Sequence, residues 1–149
     1  MDNPYEVSVS RVIPATPAEI FAVISNTEGH VAMDGSGTVK ETLEPMQLEL
    51  GSTFGMKMRL GIPYRIKNTV VEFEPDALIA WRHFGKHRWR FRLEPVEGGT
   101  EVTETFDWSK AISRKGIEVA GYPTKHPPNM EATLERLEAE VLRRREAAE

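Results

Sequence analysis

An α+β fold, in which a curved antiparallel sheet wraps around a long C-terminal helix, is what the sequence predicts. Three observations carry it. A first strand runs straight into a short helical corner, period-two hydrophobic patterning then dominates to Trp108, and the last twenty residues switch to a helical period.

The first strand is read over Tyr5 to Ile13, with Tyr5, Val7 and Val9 alternating against Glu6, Ser8 and Ser10, and Pro14 ends it. Thr16-Pro17-Ala18-Glu19 then has the grammar of a helix start. Thr16 can cap, Pro17 suits the first helical position, and Glu19 can close a capping box. Ile20, Phe21 and Ile24 make its buried stripe, and a second short helix is expected over Thr27 to Met33.

Six more strands follow, at Thr38–Leu43, Thr53–Leu60, Tyr64–Phe73, Leu78–Phe84, His87–Val96 and Thr100–Trp108, making seven. Gly61-Ile62-Pro63 and Glu97-Gly98-Gly99 read as turns, the second favouring positive φ. Lys110 to Pro127 is long for a connection, so it holds either a short helix near Arg114 to Val119 or a functional flap. Asn129 to Ala148 reads as one helix with Met130, Leu134, Leu137 and Val141 on one stripe.

Composition narrows the function classes. The 149 residues fit one domain spanning residues 1–149 with enough chain to bury a core. No cysteine is present, which excludes disulfides, thiolate metal sites and a cysteine nucleophile. A net charge of −4 argues against nonspecific nucleic-acid binding, and no apolar run suggests membrane insertion. No basic-then-apolar leader is visible after Met1, so cytoplasmic residence is the expectation.

Several stretches look familiar. Val9-Ser10-Arg11-Val12-Ile13-Pro14-Ala15-Thr16-Pro17-Ala18-Glu19-Ile20-Phe21 resembles the opening of the START-like superfamily, also called SRPBCC or helix-grip proteins. Gly98-Gly99-Thr100-Glu101-Val102-Thr103-Glu104-Thr105-Phe106-Asp107-Trp108-Ser109 is similar to it too, as are Trp81, Trp89 and the helix carrying Thr133-Leu134-Glu135-Arg136-Leu137. Within it the chain looks closest to the bacterial polyketide cyclase/dehydrase group. The resemblance implies a cavity between sheet and final helix that binds a small hydrophobic molecule such as a polyketide, isoprenoid or lipid. It implies no cofactor. A polyketide aromatase or cyclase–dehydratase is the enzymatic alternative, and a protein-interaction module a second one.

Parity selects the residues that could line such a cavity: Phe54, Met56, Met58, Trp81, Trp89, Phe91, Trp108, Met130 and Leu134, with Tyr64 and Asn68 as polar contacts. All of them could equally fill an ordinary core. Glu104 shares the parity of Val102, Phe106 and Trp108, so it either points inward as a desolvated acid or base, or faces solvent at a wet strand end. His83 alternates with Ile79 and Trp81 and is either a proton-exchanging group of the cavity or a satisfied histidine. These two are the catalytic candidates.

No metal site is expected. His83 and His87 stand four apart on a hairpin rather than a helix, and His30 and His126 are read as loop residues without partners. Asp34-Gly35-Ser36-Gly37 lacks the lysine of a phosphate loop and reads as a flexible edge of the cavity mouth. Arg88, Arg90 and Arg92 make a basic stripe, either a partner surface or a salt-bridged face with Glu101, Thr103, Glu72 or Glu74 opposite. A homodimer is compatible with the sequence, though no residue argues for it.

Overall fold

The computed structural model describes residues 4–36, 39–42, 46–83 and 85–148, except the side chains of Thr42 and Leu60. Strand β1 (Glu6–Ile13) leads into α1 (Pro17–Ile24) and α2 (Thr27–Met33). Thr16 accepts from the Glu19 amide while the Glu19 carboxylate accepts from the Thr16 amide, so the capping box read from the sequence sets where α1 starts. Asn26 caps α2 in the same way, accepting from the Glu28 amide at 2.9 Å.

Strands β2 (Val39–Thr42), β3 (Thr53–Leu60), β4 (Ile62–Glu74), β5 (Leu78–Arg82), β6 (Arg88–Val96) and β7 (Gly99–Asp107) complete a seven-stranded antiparallel sheet of order β1-β7-β6-β5-β4-β3-β2. Each strand from β2 to β7 pairs with its chain neighbour, and β1 closes onto β7. The fold is therefore α+β and of the helix-grip type, as the sequence indicates. Gly98 takes the positive φ expected of its turn. The Thr38, Leu43 and Phe84 ends of two expected strands lie outside the described residues.

A register shift in β4 decides which side chains face the core. Straight alternation from Asn68 and Val70 would send Glu72 inward and Phe73 outward, but the irregularity between Val70 and Glu72 reverses this. Phe73 instead packs edge-on against Phe21, with centroids 5.6 Å apart. Glu72 turns to the outer face, where it accepts from Arg88 and Arg90 at 2.8–3.0 Å, and Arg90 also reaches Asp107. The arginine stripe is thus engaged at Arg88 and Arg90 by Glu72, one of the expected partners, and at Arg90 also by Asp107 and Glu6.

Two boundaries differ from the sequence reading. Gly61 alone makes the β3–β4 turn, at φ 79°, and Ile62 and Pro63 already pair with Leu60 and Arg59 as strand. The final helix α4 begins at Tyr122 rather than Asn129 and runs to Ala148, 27 residues or roughly 40 Å. Pro127 and Pro128 stand sixth and seventh in the helix, where their missing N–H groups leave the Pro123 and Thr124 carbonyls without the usual amide four residues on, so the helix runs through them against local propensity. The preceding segment holds the short helix foreseen, α3 (Arg114–Val119), with Ile117 buried and Glu118 accepting from Trp108 Nε1 at 3.2 Å. It is a docked helix.

Candidate functional site

Strand β7 turns Val102, Glu104 and Phe106 onto the face covered by α4, and pairing sets Glu104 between Val9 of β1 and Phe91 of β6. Glu104 is only 5% exposed. Its Oε1 atom finds no hydrogen-bond partner among the described residues. Burial pushes its carboxyl well above the usual carboxylate range, and the charge of Asp34 pushes the same way. Glu104 therefore favours its neutral acid form.

The position of this acid in the core is informative. Phe91, Leu93 and Val102 belong to one hydrophobic cluster with Phe54, Met56, Trp81 and Leu134. Phe106, Trp108, Ile117 and Met130 form a second, and Val9 and Trp89 pack at the edge of both. Along β7 the residues alternating inward run Val102, Glu104, Phe106. The carboxyl thus sits at the seam between the clusters.

Beyond that seam three histidines gather around the second cluster. His83, just past β5, meets His87 edge to face at 4.3 Å, and His87 packs on Phe106 at 5.4 Å. From α4, His126 lies 4.6 Å from Phe106, 5.0 Å from Trp89 and stacked 5.1 Å from Tyr122. Burial lowers the pKa of all three, and His87 falls to about 4 because His83 and His126 add to the effect. His87 Nδ1 is buried without a partner among the described residues. Neutral imidazoles result, able to exchange hydrogen bonds but holding no charge.

The structure separates the two residues read as catalytic. Glu104 lies beside Phe91, whereas His83 lies beyond the Phe106–Trp89 row that separates the carboxyl from the histidines. Sequence reasoning missed His87 and His126 as its companions. His126, expected in a loop ahead of Pro127 and Pro128, is instead part of α4. His30 is likewise not a loop residue: it lies within α2, buried, stacked on Trp81 at 4.3 Å, with Nε2 donating to the Ile24 carbonyl at 2.7 Å.

Of the residues expected to line a cavity, Phe54, Met56, Trp81, Phe91, Trp108, Met130 and Leu134 are buried and packed in the two clusters, and Met58 and Trp89 are half-buried. Asn68, 3% exposed, pairs with Phe54 on the inner face. Tyr64 shares its parity but sits 41% exposed, because it pairs with Met58 near the hairpin tip, beyond the covered part of the sheet. Gly35 is no flexible edge. Its amide donates to Thr133 Oγ1 at 2.9 Å, and a Cβ there would lie 2.4 Å from the Thr133 nitrogen, so only glycine lets this segment lie against α4. No cluster of three or more potential metal ligands arises among the described residues.

A seven-stranded sheet wrapped on a long final helix defines the helix-grip class of fold. The chain belongs to the polyketide cyclase / dehydrase and lipid transport family, whose model matches residues 4–142. It is 38% identical over 150 residues to "Uncharacterized protein Rv0088" of Mycobacterium tuberculosis H37Rv, covering 96% of this chain and 67% of that one. Among solved structures, protein NE0264 from Nitrosomonas europaea superposes with a TM-score of 0.76 at 14% identity, over 99% of both chains. An AHSA1-like protein from Aeromonas hydrophila gives 0.64 at 16% identity, over 96% of this chain and 93% of that one. At such identities the likeness is one of fold. No helix among the described residues is long and apolar enough to cross a membrane.

Proposed function

We propose that the chain, acting as one cytoplasmic ligand-binding domain, takes up a small and largely apolar molecule at the seam beneath α4. The observation that carries this reading is the Glu104 carboxyl, buried with an unpartnered Oε1 between two apolar clusters. A buried polar group without a partner costs about 1–3 kcal/mol, which a ligand oxygen accepting from the neutral acid would recover. Apolar contact with Phe91, Phe106 and Met130 would supply affinity, and the family's description, with its polyketides and lipids, suits such a ligand. Uptake requires the clusters to part. Each cluster holds a methionine, Met56 and Met130, whose side chains repack readily.

The test is native mass spectrometry of the protein from its own host, followed by extraction of whatever it retains. An apolar metabolite bound by the wild type and at least about tenfold weaker in Glu104→Leu is the expected result, tenfold being the net worth of one hydrogen bond. An empty protein that gains no thermal stability from hydrophobic ligand panels would overturn the reading.

An enzymatic variant of this reading, a polyketide cyclase–dehydratase, would use the acid and the histidines on a ligand that spans the Phe106–Trp89 row between them. An acid held protonated and neutral imidazoles at His83 and His87 could donate and accept protons during aldol closure and loss of water. Glu104→Gln and His83→Ala should then abolish turnover of a poly-β-ketone while leaving its binding largely intact.

A further inference from the structure

The β3–β4 hairpin differs from the rest of the molecule in charge. From Thr53 to Val71 the sequence carries Lys57, Arg59, Arg65 and Lys67 and no aspartate or glutamate, in a chain whose net charge is −4. Lys57 is ion-paired with Glu41, while Arg59, Arg65 and Lys67 are exposed with no ion pair among the described residues. Helix α2 reaches the base of this hairpin, where His30 meets Phe54 and where Met56, Asn68 and Val70 are buried, while the tip end is exposed. At its tip, after the Gly61 turn, Ile62 is 75% exposed and Tyr64 41%.

An apolar tip collared by unpaired cations is the pattern of a segment that enters a lipid interface. Cations are drawn to anionic headgroups, a tyrosine favours the headgroup level, and an isoleucine is expelled from water into the acyl boundary. Farther from the tip, toward the open end of the hairpin, lies a depression of about 370 Å³ lined by Met46, Phe54 and Ile66 together with Arg65 and Lys67, apolar and cationic at once. We propose that this hairpin docks the protein peripherally on an anionic phospholipid bilayer. Self-association through the same surface would oppose three unpaired cations with three, and a nucleic acid would leave Ile62 in water. The inner face continues from Phe54 and Met56 to Met58 and its partner Tyr64, so the docked tip would adjoin the sheet's ligand-facing side.

The test uses the intact chain in a flotation assay with vesicles of phosphatidylcholine alone or with roughly a third phosphatidylglycerol. Recovery should rise at least about fivefold with the anionic lipid and return to the phosphatidylcholine level in about 0.5 M salt. The Arg65→Glu/Lys67→Glu variant should lose at least about tenfold of the bound fraction. The Ile62→Ser/Tyr64→Ser variant, unchanged in charge and altered only at exposed sites, should lose at least about threefold. Equal recovery on both vesicles overturns the proposal. So does undiminished binding of Ile62→Ser/Tyr64→Ser, or release by millimolar glycerol 1-phosphate, either of which would reduce the surface to a phosphate site. A salt-independent dimer abolished by Ile62→Ser would assign the tip to a second copy instead. Docking does not depend on the ligand reading, and either can fail alone.

Discussion

The two ends of the covered face bury histidines in opposite ways. At the α2 end, His30 is enclosed, stacked on Trp81, and donates to the Ile24 carbonyl at 2.7 Å. At the α3–α4 end, His87 is also desolvated, yet its Nδ1 has no partner among the described residues, and Oε1 of Glu104, across the Phe106–Trp89 row, is unpartnered in the same sense. Burial lowers both histidines to about 4, so burial and pKa do not tell them apart. What separates a structural group from a candidate functional one here is whether its polar atom is satisfied.

The sharpest way to break this comparison is to delete each ring. His30→Ala should cost about 4 kcal/mol, because it opens a ring-sized cavity in the core and strands the Ile24 carbonyl. His87→Phe keeps the contact with Phe106 and removes an unsatisfied nitrogen, so its stability should stay within about 1 kcal/mol of wild type. Urea unfolding of both variants at neutral pH decides it. Equal losses would mean that His87 is as much a structural member as His30.

The same contrast explains what the sequence made legible. The capping box at Thr16, the alternation along β7 and the Gly98 turn are local features, and each appears where the pattern put it. The inward direction of Glu104 was one of two open readings, because parity alone cannot say whether a strand end is wet. The His83–His87–His126 gathering was illegible for a different reason. It joins residues far apart in sequence, and one of them depends on a helix that continues through two prolines, against local propensity. The single signal available was His126 at helical spacing from Met130, four residues on.

Acid should strip stability from both ends through the same titration. A histidine whose folded pKa lies near 4, against 6.5 unfolded, leaves the unfolded chain binding more protons between those values. Stability is then full above about pH 6.5 and falls as pH drops toward 4, by about 3 kcal/mol for fully buried His30. His87 is less enclosed and contributes less. His87→Phe should flatten the slope near pH 5 by up to about 1.4 kcal/mol per pH unit, measured by urea unfolding across the window. An unchanged slope would mean that His87 already carries its proton in the native state.

Glu104 titrates with the opposite sign, which gives the finest test. Its folded pKa is raised, so the native state holds a proton that the unfolded chain releases above about 4.5, and stability is lost as pH climbs through the folded value. Glu104→Leu, similar in size and free of the unsatisfied oxygen, should therefore gain about 1–2 kcal/mol at neutral pH, with the gain shrinking in acid. At this chain length that is roughly 3–6 °C in melting temperature. A loss instead would mean that the carboxyl is satisfied in solution, and the seam beneath α4 would then have no vacancy for a ligand oxygen to fill.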